Sequence, residues 1–138
     1  MGTGRTTTMK SKSRKINSRR KGKEGELEFA HLLNDRFGPT ANARRSQQFM
    51  GTAQSADITS NLPFHFEVKR CDKLMFRDWW SQLRSEATEK MGVLAFRWNN
   101  GPWIIAMDAD DWCNVVRESD FFCTECATTT ETNHGSKN

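Results

Sequence analysis

Asp57, Glu67 and Lys69 are the residues whose types and spacing could do chemistry, in the pattern Asp-x9-Glu-x-Lys. Glu67 and Lys69 belong to the segment FHFEVKR, residues 64–70, in which Phe64, Phe66 and Val68 alternate with His65, Glu67 and Lys69. A period of two predicts a half-buried strand. On it the carboxylate and the amine stand about 6.6 Å apart along one face. Asp57 lies in ADITS, residues 56–60, and Asn61-Leu62-Pro63 turns that segment into the longer one, so the two read as a hairpin. Two carboxylates converging across a hairpin could hold a hard dication such as Mg²⁺, with the backbone carbonyl of Val68 completing the oxygen set. Such an ion neutralises the charge that develops when a phosphodiester is hydrolysed and lowers the pKa of a water. Lys69 beside it could orient or deprotonate the attacking water and stabilise the transition state. The alternative is a solvated sheet face with ordinary surface charge.

A fourth acid stands in an unusual place. Residues 23–37, KEGELEFAHLLNDRF, predict a helix ended by Gly38-Pro39. On a wheel at about 100° per residue, Phe29, Ala30, Leu33 and Phe37 share one arc. Glu24 and Glu28 point away from it, and Glu26 falls in its middle. Burying an unpaired carboxylate is costly. Glu26 therefore either serves the site, reaching the cation through a water, or occupies a frayed first turn where the helix dipole favours acids. Arg44 and Arg45, in a short strand or extended arm at 42–48, and Arg70, after the lysine, would sit at the rim, either gripping a phosphate or as plain surface charge. His65 reads first as a surface residue, with contact to DNA or substrate as the alternative.

The remaining elements must position these groups. Residues 76–90 predict a second helix with Phe76, Trp79, Trp80, Leu83 and Ala87 on one face, read as core rather than as a base-stacking platform. GVLAFRW, 92–98, is an apolar strand of the buried type. NNGP turns it into WIIAM, 103–107, and Asp108 or Asp110 can cap a last helix running to about residue 117. The order α-β-β-β-α-β-β-α combines a hairpin with a helical crossover, which predicts an α/β fold: a mixed sheet flanked by helices.

Charge divides the chain. Its 138 residues carry a net +4, but residues 1–23 hold nine Lys or Arg and no acid, whereas 24–138 hold 12 basic and 17 acidic groups. A basic arm on a mildly acidic body suggests a polyanion partner, most simply nucleic acid, with Arg19, Arg20 and Lys21 among the cations that would meet phosphates. The expected organisation is a disordered basic arm at 1–22, one catalytic domain at 23–120 and a flexible tail at 121–138. Cys113, Cys123 and Cys126 with His134 could form a zinc site, but free thiols in a reducing compartment are the simpler reading. No run of 18 apolar residues and no signal-type apolar segment occurs, so the expectation is a soluble intracellular protein with no membrane role.

At these residues the sequence resembles the PD-(D/E)xK nuclease superfamily, and more narrowly the Holliday junction resolvases of the archaeal type and their small phage-encoded relatives. KGKEGELEF is similar to the opening Lys-Gly-x-x-x-Glu-x-Glu helix, which puts the first metal-site glutamate on Glu26. ARRSQQFMGTAQSADIT resembles the phage group's Arg-x-x-Gln-Gln-x-x-Gly stretch leading to the metal-binding Asp57, and FHFEVKR supplies Glu67 and Lys69. SQLRSEA resembles the following helix, whose glutamine falls on Gln82. The likeness covers about residues 21–112; Ala56 stands where the superfamily's name has Pro, and the loop at 49–55 is longer than in archaeal members. The resemblance implies a restriction-endonuclease-like core (α-β-β-β-α-β) and a Mg²⁺-dependent endonuclease, Mn²⁺ substituting, that cuts branched DNA as a homodimer in the cytoplasm of a phage's host. It assigns Glu26, Asp57, Glu67 and Lys69 to catalysis and puts the helix glutamine on Gln82, while the longer loop leaves its arginine open between Arg44 and Arg45; Gln82 and Arg45 are expected to bind and position the DNA. A nuclease with another DNA substrate (nicking, repair or restriction-like) and a non-catalytic DNA-binding module are the other readings.

Overall fold

A computed structural model describes residues 18–47 and 56–119. The basic arm before residue 18, the loop at 48–55, and the tail with Cys123, Cys126 and His134, on which the disorder and zinc expectations fall, lie outside the described residues.

The elements are α1 (Ser18–Phe37), a 3-10 turn (Pro39–Ala41), β1 (Arg44–Arg45), β2 (Ile58–Thr59), β3 (Phe64–Arg70), α2 (Phe76–Glu86), β4 (Met91–Arg97), β5 (Ile104–Met107) and α3 (Ala109–Glu118). They form one five-stranded sheet in the order β1-β2-β3-β4-β5. The β1–β2–β3 pairings are antiparallel, as expected for the hairpin. The β3–β4 pairing is parallel through the α2 crossover, and β5 returns antiparallel. This is the expected α/β architecture with a mixed sheet flanked by helices, and it is compatible with a restriction-endonuclease-like core.

The apolar residues of β4 alternate between two cores, and those of β3 join the first. Phe66, Val68, Val93 and Ala95 face α1, where Phe29, Ala30 and Leu33 pack with Ala43 and Ile58. Leu94 and Phe96 face α2, against Trp79 and Leu83. Two glycines permit close approach. A Cβ on Gly25 would stand 2.9 Å from Cβ of Arg70, so α1 lies directly against the end of β3. A Cβ on Gly92 would meet Leu83 and Ala87 at 3.2 Å, so the C-terminal end of α2 lies equally close to the start of β4. Gly38 follows α1 with φ 75°, a positive value that glycine adopts without strain.

Four local expectations are corrected. Helix α1 begins at Ser18, five residues before Lys23, so Arg19, Arg20 and Lys21 stand on a helix rather than in a disordered arm. Glu26 therefore lies inside the helix and not in a frayed first turn. Phe37, placed on the buried arc by the wheel, is 58% exposed because α1 runs past the sheet before it ends. Helix α2 stops at Glu86, not residue 90, since β4 already begins at Met91. Finally, β3 is not half-buried. It is the central strand, covered on both faces, and His65 and Glu67 are buried with the apolar residues. Asp108 is the cap of α3, its carboxylate accepting from the Asp110 N–H at 3.0 Å. Among the described residues no helix is long and apolar enough to cross a membrane.

Candidate active site

The polar side chains of β3 point toward α2, because their register partners His65↔Gly92, Glu67↔Leu94 and Lys69↔Phe96 lie on that face. Glu67 is 1% exposed. Its carboxylate accepts a short hydrogen bond from Lys69 Nζ, so the two residues that alternate along the strand fold onto each other as an ion pair. Burial is what such a carboxylate resists. It pushes the Glu67 pKa up, while Lys69 pulls it down and the charges of Glu86 and Glu26 add to the rise.

Asp57 is held between the β1 side and β3 by three hydrogen bonds. Its N–H donates to the Phe66 carbonyl at 2.9 Å and its carbonyl accepts from the Ser46 N–H at 2.9 Å. Its carboxylate accepts the Val68 N–H at 2.8 Å. That amide lies between Glu67 and Lys69 in the chain, so the side chain of Asp57 is brought to the middle of the Glu-x-Lys step. Burial, followed by the negative charge of Glu67, raises the Asp57 pKa from 3.8 to about 7. Glu26 adds to the rise, and the Val68 N–H and Lys69 oppose it. Asp57, Glu67, Glu26 and Lys69 are thus electrostatic neighbours.

Glu26 comes from the other side. Its carboxylate is paired with Arg45 Nε, and both side chains are largely covered. The pairing depends on how β1 is tied to α1. The Asn34 amide brackets Ala43, accepting its N–H at 2.8 Å and donating to its carbonyl at 2.7 Å, which sets the strand that carries Arg45. The carboxylate on the apolar arc is therefore partly covered and paired, and the pairing offsets the cost of drawing its charge away from water.

The other expected contacts divide. Gln82 of α2 reaches the site, its Oε1 accepting from Lys69 Nζ at 3.3 Å. Arg44 is exposed on β1. Arg70 points to the α1 face, not to that of Lys69, and pairs with Glu24 at 3.7 Å and Glu28 at 4.0 Å. Arg20 pairs with Glu24 at 2.7 Å, and Lys21 with Asp72 at 2.7 Å. Arg19 is exposed on the first turn of α1. His65 is a correction: it is 8% exposed instead of on the surface, and burial, then the charge of Lys90, lowers its pKa while Glu86 opposes.

Sequence reasoning missed Glu86. It accepts from Gln82 Nε2 at 3.2 Å and raises the pKa values of both Glu67 and His65. A signal existed, because an acid in the last turn of a helix opposes the macrodipole. It was hidden by running the helix on to residue 90. Glu86, His65, Ala56, Thr59 and Ser46 line a cleft of about 400 Å³ beside the site.

Among the described residues no three His, Cys, Asp or Glu side chains stand close enough to form a ready metal cage. Mg²⁺ does not need one, since it is commonly bound through one or two carboxylates and keeps several waters. Asp57, Glu67 and the Val68 carbonyl suit that requirement, with Glu26 further out. Zinc through Cys113 finds no support among the described residues, where Cys113 is an exposed free thiol. Covered carboxylates that raise one another's pKa are what a bound dication relieves.

Residues 17–137 match the family described as "Phage putative PDDEXK endonuclease". No curated protein and no solved structure matches the chain.

Proposed function

The chain belongs to this phage PDDEXK endonuclease family, and on that footing we propose that it is a Mg²⁺-dependent, structure-selective DNA endonuclease, a Holliday junction resolvase that hydrolyses phosphodiesters in branched DNA. The observation that carries the reading is the placement of Asp57 on the amide between Glu67 and Lys69, with Lys69 bonded to Glu67 and Glu26 within electrostatic reach. A structural domain gains nothing from gathering buried acids in this way, whereas charge developing on a phosphate requires opposite charge nearby.

Asp57, Glu67 and the Val68 carbonyl would hold the dication, and Glu26 would contact it through a water. The ion, Mg²⁺ or Mn²⁺, supplies charge neutralisation at the phosphate and a lower pKa for the attacking water. The chain does the rest. The backbone of Asp57 is fixed by hydrogen bonds to Ser46 and Phe66, and the Val68 N–H holds its carboxylate. Lys69 keeps its ammonium between Glu67 and Gln82, where it can orient the nucleophile and stabilise the phosphate's developing charge. Arg45 restrains Glu26. Arg44, Arg19 and Arg20 offer exposed cations for the DNA backbone, Lys21 would have to leave Asp72 to join them, and the nine basic residues at 1–23 add a salt-sensitive affinity. Paired incision of a symmetric junction calls for two sites at fixed spacing, so the active species is a homodimer. It acts in the cytoplasm of the host cell.

The test is cleavage of a labelled four-way junction against a linear duplex of the same arms, with Mg²⁺. Symmetric paired cuts in the junction, at a rate about 100-fold or more above the duplex, are expected. Equal cutting of both DNAs would mean a nuclease of another substrate class.

A further inference from the structure

Lys69 is not held by Glu67 alone. Its Nζ also donates to Gln82 Oε1 at 3.3 Å, and the Nε2 of the same amide donates to Glu86 Oε1 at 3.2 Å. A glutamine amide has one accepting end and one donating end, while an ammonium only donates and a carboxylate only accepts. Turned over, the amide would set N–H against N–H at Lys69 and oxygen against oxygen at Glu86. One orientation satisfies both neighbours, and Glu86 selects it. Gln82 and Glu86 stand one turn apart on α2, so the helix presents both on one face. The close packing of Gly92 against Leu83 brings this end of α2 onto the sheet.

We infer that Glu86 is a positioning residue for the reaction: it fixes the Gln82 amide so that its oxygen holds Lys69, and it thereby sets the direction of the ammonium. Two acceptors then engage two of the three N–H groups of Lys69, and among the described residues the third has no protein acceptor, which leaves it for substrate or the attacking water. Glu86 acts on no reacting atom itself. The inference rests on the proposed nuclease reading for its catalytic consequence, but not for its geometry. The rise that Glu86 causes in the Glu67 pKa agrees with its nearness to the site.

The experiment compares wild type, Glu86→Ala and the double variant Gln82→Glu/Glu86→Gln, using Mg²⁺-dependent cleavage of labelled DNA and the side-chain amide NMR signals of Gln82. In Glu86→Ala the amide turns freely, so kcat falls by about ten-fold, the value of one charge-assisted hydrogen bond, with KM unchanged. In the double variant a carboxylate at position 82 accepts from Lys69, and an amide at position 86 donates to it. The acceptor is restored without Glu86, and kcat returns to within about three-fold of wild type. The Gln82 amide protons exchange faster with solvent in Glu86→Ala than in wild type.

A double variant as impaired as Glu86→Ala would overturn the inference, since a general loss of helix structure is not rescued by exchanging the two groups. So would Gln82 amide signals unaltered in Glu86→Ala, or altered signals with unchanged kcat. If wild type cuts no DNA, the proposed function fails, while the amide signals still decide whether Glu86 orients Gln82.

Discussion

Asp57→Asn lowers Mg²⁺-dependent cleavage by about 1,000-fold or more, the loss expected when several kcal/mol of charge stabilisation at the metal is removed. The fold is retained, because the amide oxygen still accepts the Val68 N–H that the carboxylate now accepts at 2.8 Å. The charge is what disappears, and in the metal-free protein that charge is a burden. Burial and the Glu67 charge hold the Asp57 pKa at about 7 in the folded state, against 3.8 ordinarily. Between these values the folded chain binds a proton that the unfolded chain does not. The stabilisation from this group is complete below 3.8 and is lost as pH rises through about 7. In EDTA the wild-type Tm therefore falls between about pH 5 and about pH 8 relative to that of Asp57→Asn. The comparison with the variant is needed because other groups titrate in the same window. Glu67, with its raised pKa, adds to the trend, whereas His65, with a lowered one, loses stability as pH falls. Thermal melts at the two pH values check this. A parallel response in both proteins would remove Asp57 from the cluster.

Lys69→Met has an equally large effect on cleavage and a second effect on stability. Glu67 is 1% exposed, and Lys69 provides its short ion pair. Removing the ammonium leaves a buried carboxylate without its counter-charge. Such a loss costs about 3 kcal/mol here, the low end for buried pairs because Lys69 itself keeps some contact with solvent. The pair Glu67→Gln/Lys69→Met recovers most of that stability and none of the activity, since the amide needs no counter-charge. Urea unfolding of the three proteins at neutral pH separates the terms. Equal stability of Lys69→Met and wild type would mean that Glu67 draws its compensation from elsewhere.

The same Glu67–Lys69 pair shows what could be read from the sequence and what could not. Period-two alternation located β3, and Asn61-Leu62-Pro63 located the hairpin, so Asp57 fell on the right strand ends. The crossover through α2 also followed, since an apolar run of the β4 kind asks for cover on both faces. That reasoning stopped short of β3. Its polar residues suggested a wet face, and an ion pair can hide a carboxylate where composition predicts exposure. The wheel marked Glu26 as unusual without saying why; Arg45, brought in by the Asn34 clamp on Ala43, is the reason. The start of α1 was hidden by its own charges. Residues 18–22 are mostly basic, with no acid in the first turn, and so read as an arm. The contacts of Arg70 and the Gln82–Glu86 hydrogen bond depend on rotamers and on where a helix ends, and neither leaves a periodic trace. The family likeness put Gln82 at the site, but only the packing of α2 on β4 placed Glu86 behind it.

The most direct test of the central claim is a single comparison on labelled DNA: wild type with Mg²⁺, wild type with EDTA, and Glu67→Gln with Mg²⁺, each confirmed folded by circular dichroism. The account predicts cleavage in the first reaction only, with the other two slower by about 1,000-fold. Cleavage that survives in Glu67→Gln, or folded wild type that binds DNA and cuts none of it, would contradict the assignment of Asp57, Glu67 and Lys69 as a nuclease site.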